Sequence, residues 1–317
     1  MSTESTPPRL TIGLPTFDRC ERLPRTVDSV LRQTFGDFEL VISDNASTDA
    51  TPAVCARLAA TDSRIRVVRH TTNLGLTANF NSVLSTGLSE LVMVVADDDW
   101  LDADYLERCV TFLDHHPGHV LVSGSAQYHD GAGPRGGGVA VDCEQDDPTE
   151  RVRWYFAHVV DNASIYGVMR RSALGRALPM PNALAGDWML IGRLLMDGKL
   201  RTVTETAVHR SVGGTSASLA RTARSMRLTA LEARHPNLAM AQLIYRDIES
   251  GSSSYSALTS KRRRVLAWAC TWSVLRGRSV SIVGDALRPL LSRPRLQGLD
   301  LTLRRIVRGD GDPPSWR

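Results

Sequence analysis

Over the first hundred positions, apolar residues fall in short runs separated by amphipathic stretches and turn clusters. Residues 9–15, RLTIGLP, read as a short buried strand stopped by Pro15. Residues 22–34 place Leu23, Val27, Val30 and Leu31 on one helical face. Phe38–Ser43 is a second strand, running into the turn cluster Asp44-Asn45-Ala46-Ser47. A helix is expected over Ala50–Ala60, capped by Asp49 or Thr51. Ile65–Arg69 is a third strand, Asn73–Gly75 a turn, and Thr77–Gly87 a helix. Leu91–Ala96, LVMVVA, is the most apolar run and ends abruptly in Asp97-Asp98-Asp99. Four near-continuous apolar strands alternating with helices imply an α/β fold with a mostly parallel sheet covered on both faces. Ligands bind such sheets beyond the carboxyl ends of the strands, so the polar clusters there should converge on one cleft.

Beyond residue 114 the pattern loosens. The stretch 131–138, GAGPRGGG, lacks the Lys-Ser/Thr that follows a phosphate-binding loop and reads as a plain loop. Residues 186–198 look helical, 199–208 strand-like and 213–220 small and polar. From about 222 the chain is helical and rich in Arg, Leu and Ala. This divides it into a domain over 1–222 and a C-terminal helical extension over 223–317.

Charge sharpens that division. The net charge is +4, but residues 261–317 carry +9, leaving −5 for the remainder. In the tail, Lys261-Arg262-Arg263-Arg264 precede Val265, Leu266, Trp268, Ala269, Trp272 and Leu275, a broad apolar stripe on a helix. Packing of that stripe onto the catalytic domain is the favoured reading, and peripheral contact with an anionic membrane is its rival. Apart from its tryptophans the tail lacks the interleaved aromatics of a nucleic-acid surface, so no nucleic-acid partner is expected. The N-terminus has no apolar signal region, and no apolar run reaches the roughly 18 residues of a membrane span. The five cysteines form no C-x-x-C pair, which points to a reducing, cytoplasmic setting.

Three consecutive carboxylates at the end of a buried strand repel one another unless neutralised. A divalent cation, Mg²⁺ or Mn²⁺, bridging carboxylates to substrate phosphates resolves this; a solvated surface loop is the alternative. Asp44, ending the second strand, is placed to accept the imide N–H of a uracil or thymine, or to cap the following helix. Asp49 is better explained by capping.

Five motifs occur in order: Leu14-Pro15-Thr16-Phe17-Asp18-Arg19, Ser29-Val30-Leu31-x-Gln-Thr, Asp44-Asn45-Ala46-Ser47-Thr48-Asp49, Asn73-x-Gly75 with Asn81 beyond, and Val95-Ala96-Asp97-Asp98-Asp99. Together they resemble family 2 glycosyltransferases, inverting enzymes with the GT-A fold. The resemblance is strongest over residues 9–115 and fades by about 220. It implies a nucleotide-sugar donor, a small-molecule or glycan acceptor, and a nucleobase pocket lined by Pro15, Thr16, Phe17 and Asp44. It further implies that Asp97 contacts the ribose or phosphate side, that Asp98 and Asp99 hold the metal, and that Asp187 of Ala185-Gly186-Asp187-Trp188 is the catalytic base. Helix capping is a second role open to Asp187. Trp188 is a candidate to stack on an acceptor sugar or to pack in the core. The segment 209–216 resembles the late loop closing over the diphosphate. Val212 stands where many members carry His, leaving His209 as a weak substitute. A nucleotidyltransferase would need a glycine-rich basic loop after the first strand, which LPTFDR does not supply. A catalytically silent binding protein would not need the acidic triplet and Asp187 together.

Overall fold

The computed structural model describes residues 7–130, 132–161, 163–212 and 229–278, together with Thr222 and Met226. Nine strands form one sheet: β1 (Leu10–Thr16), β2 (Phe38–Asp44), β3 (Ile65–Arg69), β4 (Leu91–Val94), β5 (Trp100–Leu101), β6 (His119–Asp130), β7 (Gly133–Gly137), β8 (Val168–Arg170) and β9 (Lys199–Ser211). The order is β3-β2-β1-β4-β8-β6-β9-β5, with β7 hairpinned onto β6. The four strands of the first hundred residues pair in parallel, as expected. The second half adds antiparallel neighbours: β8 against β4 and β6, and β5 against β9. Between β6 and β9 the pairing is again parallel.

The core follows from the apolar strand runs. Leu10, Ile12, Leu14, Leu40, Ile42 and Val92–Val94 are fully buried between two helical layers. At Gly13 a Cβ would stand 2.5 Å from that of Val83, so only glycine lets α3 (Leu76–Ser85) lie this close on β1. The helices α1 (Leu23–Leu31), α2 (Thr51–Thr61) and α3 match the expected helical stretches to within a few residues, and α4 (Tyr105–His115) adds one that was not expected. The cap position of α2 is Ala50 rather than Asp49 or Thr51; Asp49, one residue earlier, accepts the Thr51 amide at 2.8 Å.

Two assignments change. The glycine-rich 131–138 loop becomes, from Gly133, the second arm of a β-hairpin. Glycine carries no side chain to show a period of two, so the pattern hides the strand. The strand expected over 199–208 runs on to Ser211, and the helix expected over 186–198 is α7, Gly186–Leu194. The small polar stretch 213–220 lies outside the described residues.

Helix α5 (Pro148–His158) is capped by Asp147, which accepts the Thr149 and Glu150 amides. A short helix, α6 (Arg171–Ala177), and a 3₁₀ turn, Ala163–Tyr166, precede α7. Beyond residue 229, α8 (Ala230–Arg234), α9 (Pro236–Ser250) and α10 (Ser260–Gly277) follow. Helix α10 packs on α5 and α9. A buried ion pair joins Arg193 of α7 to Asp247 of α9, and Arg193 also donates to the carbonyls of Ala177 and Pro179 at 2.9 and 2.7 Å. Packing of the tail helix therefore occurs, but not through its tryptophans: Leu266, Ala267, Cys270 and Val274 are buried, and Trp268 and Trp272 are exposed. All five cysteines are unpaired. No described helix is long and apolar enough to cross a membrane.

Candidate active site

The parallel half brings the carboxyl ends of β2, β1 and β4 side by side, and with them Asp44, Thr16 and the acidic triplet. The loops between are tied together by polar side chains. Asp18 accepts the amides of Thr48 at 2.7 Å and Asp49 at 3.3 Å, and its own amide donates to Ser47 Oγ at 2.9 Å. Asn45 accepts the Leu74 amide at 2.8 Å and donates to Asn73 Oδ1 at 3.0 Å. Buried Asn79 accepts from Ser43 Oγ at 2.6 Å and donates to the Ser43 carbonyl at 3.2 Å.

Asp44 is fully buried. Its Oδ1 accepts the Ser47 amide at 2.9 Å. Its Oδ2 has no hydrogen bond and lies 3.5 Å from Arg69 Nε. Arg69 offsets the charge of this buried oxygen, and its missing hydrogen bond leaves it able to accept a further donor. Phe17, 38% exposed, stands beside that end of the sheet.

The three consecutive aspartates point three ways. Asp97 faces the Thr16 hydroxyl and Phe17 amide and is 3.6 Å from Arg19 Nε. Burial pushes its carboxyl up to about 6, and the Asp98 charge adds to this against those two donors. Asp98 reaches the other way, with Oδ2 3.3 Å from Arg22 Nη1. Asp99 is buried: Oδ1 accepts the Ser211 amide at 2.9 Å, and Oδ2 is 3.7 Å from Arg210 Nε. Burial also raises Asp99 to about 6, opposed by the Arg210 charge. The motif is further stitched in place by Ser211 Oγ donating to the Asp98 carbonyl and Thr26 Oγ1 to that of Asp99, both at 2.7 Å. Among the described residues no three His, Cys, Asp or Glu side chains converge as a complete metal cage. This donor set fits a cation held by one or two carboxylates that completes its shell with phosphate oxygens and water.

Arg210 escaped the sequence reading. Its guanidinium lies 5.5 Å from the Tyr128 ring centroid and 4.9 Å from that of Tyr166, and its buried Nε has no hydrogen bond. The signal was an arginine closing a strand that continued past its expected end. His209, the residue singled out instead, faces the opposite side of β9 by strand alternation. There it contacts Asp102 Oδ1 at 2.8 Å and His129 at 2.9 Å and stacks on Trp100. It is therefore not brought to the acidic motif.

Asp187 sits in the first turn of α7, and its Oδ1 accepts the Trp188 amide at 2.9 Å. It does not occupy the cap position itself; Ala185 does, in left-handed backbone at φ 58°. Gly186 is required next to it, since a Cβ would meet the Pro181 carbonyl oxygen at 2.2 Å. The loop before α7 is docked on α3. Asn81 donates to the Met180 carbonyl at 2.9 Å and accepts its amide at 2.7 Å. Thr77 Oγ1 donates to Asn182 at 2.8 Å. Trp188 is buried at 6% exposure, with the Arg278 guanidinium 4.9 Å above its ring, so it packs in the core and offers a sugar ring little surface. Arg170 and Arg171 donate to the carbonyls of His119 and Thr86 at 2.8 and 3.1 Å.

A family model described as glycosyl transferase family 2 matches residues 11–177. The chain is similar to a PGL/p-HBAD biosynthesis glycosyltransferase of Mycobacterium tuberculosis, at 35% identity over 119 residues, which is 37% of this chain and 46% of that protein. The curated relatives it matches are spanned only in part, from 18% to 49% of their length. Among solved structures, Staphylococcus aureus TarS 1–349 in complex with UDP-GlcNAc superposes with a TM-score of 0.54 at 18% identity, over 95% of this chain and 91% of that one. A Pyrobaculum calidifontis mannosyltransferase in complex with GDP-Man and Mn²⁺ gives 0.54 at 19% identity, over 96% and 84%. Both share the α/β arrangement of a curled sheet flanked by helices.

Proposed function

Because the chain belongs to glycosyl transferase family 2, we propose that it moves a sugar, with inversion at the anomeric carbon, from a UDP- or dTDP-sugar to a hydroxyl of a natural product or cell-surface glycan. The transferase unit is residues 1–222, and 223–317 are a basic helical extension. The observation that carries this reading is Asp44 Oδ2, which faces Arg69 but accepts no hydrogen bond, buried two strands away from the acidic motif. A pyrimidine imide N–H donates to it, whereas the carbonyl edge of a cytosine would be repelled.

In this reading Pro15, Thr16 and Phe17 flank the base, and Asp97 meets the ribose or phosphate side. Asp98 and Asp99 hold Mn²⁺ or Mg²⁺. Asp98 is the better placed of the two, since both Asp99 oxygens already face Ser211 and Arg210. A bound cation would supply charge neutralisation to the departing diphosphate. Support for a cation comes from the mannosyltransferase neighbour in complex with Mn²⁺. Arg19 and Arg22, paired with the acids here, are free to turn to phosphate oxygens when the acids are taken up. Asp187, at the start of α7, takes the proton of the acceptor hydroxyl.

A thermal-shift screen tests this. UDP or dTDP with Mn²⁺ should raise the melting temperature by about 5 °C or more at a hundredfold excess over Kd. A shift with GDP alone, or none with either UDP or dTDP, would sink the assignment.

A further inference from the structure

Helix α10 has two apolar faces. One is used: Leu266, Ala267, Cys270 and Val274 are buried against α5 and α9. The other is not: Val265 is 63%, Trp268 63% and Trp272 61% exposed. A helical repeat places Lys261, Val265, Trp268, Trp272 and Arg276 within roughly a third of the circumference, opposite the buried set. The apolar centre is thus bracketed by cations at both ends, and Arg262 and Arg264 are exposed at the basic end. Arg264 lies 3.5 Å from Glu249, but α10 itself contains no acidic residue. Tyr245 of α9 meets the Trp268 ring edge-on at 5.3 Å, widening the aromatic surface.

We infer that this face docks on a lipid bilayer with anionic headgroups, Val265, Trp268 and Trp272 entering the interface and the flanking Lys and Arg meeting lipid phosphates. Indole rings favour the boundary between headgroup and acyl chain, and a helix lying in that plane needs an apolar face rimmed by cations. The stripe as ordered here has both, on a helix held rigidly by its other side. A protein partner of unspecified kind would not call for cations at each end of the same stripe.

The full chain should co-sediment with vesicles of phosphatidylcholine containing about one part in three phosphatidylglycerol, and not with phosphatidylcholine alone. Raising salt should release it. Trp268→Ala with Trp272→Ala should cut the bound fraction about tenfold while the melting temperature and the UDP-dependent shift stay unchanged. Independently of any variant, brominated lipid should quench the fluorescence of the wild-type chain in the anionic vesicles. Absence of binding to either vesicle, undiminished binding by the double variant, or no quenching by brominated lipid would overturn the inference. So would a drop in melting temperature on substitution, which would mean that residues beyond 278 or a second copy cover this face. None of these outcomes depends on nucleotide binding, so a failure here leaves the donor assignment standing, and the reverse also holds.

Discussion

At the end of the cleft proposed to take the nucleotide, consecutive loops hold one another. Asp18 fastens the loop after β1 to the one after β2, and Asn45 fastens that one to the loop after β3. At the acceptor end the partners come from opposite ends of the domain. Asn81 grips Met180, Arg210 faces Asp99, and Ser211 holds the backbone of Asp98. The first arrangement makes a rigid socket from local chain. The second makes the position of Asp187 and the surroundings of Asp99 depend on the whole sheet being closed. Damage at the nucleotide end should therefore fall on binding, and damage at the acceptor end on turnover.

The most severe test is at the seam between the two. Asp98→Asn should lower transfer by at least roughly a thousandfold and abolish the Mn²⁺-dependent thermal shift with UDP. Asp99→Asn should cost less cation affinity, because its oxygens already serve Ser211 and Arg210. Equal losses would mean that the two share the cation. Full activity in excess chelator would remove the cation from the scheme.

Asp187→Asn separates the ends more cleanly. It keeps a side-chain oxygen for the Trp188 amide while removing the carboxylate proposed as base. Turnover should fall by about a hundredfold or more with donor binding near normal. A collapse in melting temperature instead would show that its work is structural, at the helix start.

The mildest effect is one of pH on the metal-free chain. Asp97 and Asp99 titrate near 6 when folded, against an ordinary 3.8. Between those values the folded chain binds more protons than the unfolded one, so this pair contributes stability that is lost as pH rises from about 4 to 6. The melting temperature should climb by a few degrees on acidification through that window, and Asp97→Asn or Asp99→Asn should flatten the climb. An unchanged slope in both variants would place the titrating groups elsewhere.

The same contrast governs what could be read from the chain alone. Asp44 and Asp97–Asp99 end apolar strands of a repeating strand–helix pattern, and parallel sheets put such ends at the ligand. Local spacing was enough to find them. Arg210 lies in a strand whose neighbours, β6 in parallel and β5 antiparallel, are some eighty and a hundred residues away in sequence, so no window of sequence displays its partners. His209, next to it, drew attention for its chemistry and turned out to face the other way. In α10 the sequence shows one broad apolar stripe, with the tryptophans in it, and does not say which part of that stripe packs. The helix buries its smaller side chains, which let α5 and α9 approach closely.

The clamp between Asn81 and Met180 has one more consequence. Asn81 grips only the amide and carbonyl of position 180, never its side chain. The segment 178–185 is thus held on α3 at position 180 through main-chain groups alone, while the Thr77–Asn182 bond beside it does depend on the side chain. Position 180 can therefore change its side chain without loosening this grip, whereas Asn182 and the buried Leu184 have to be kept for Gly186 and Asp187 to arrive at the same spot.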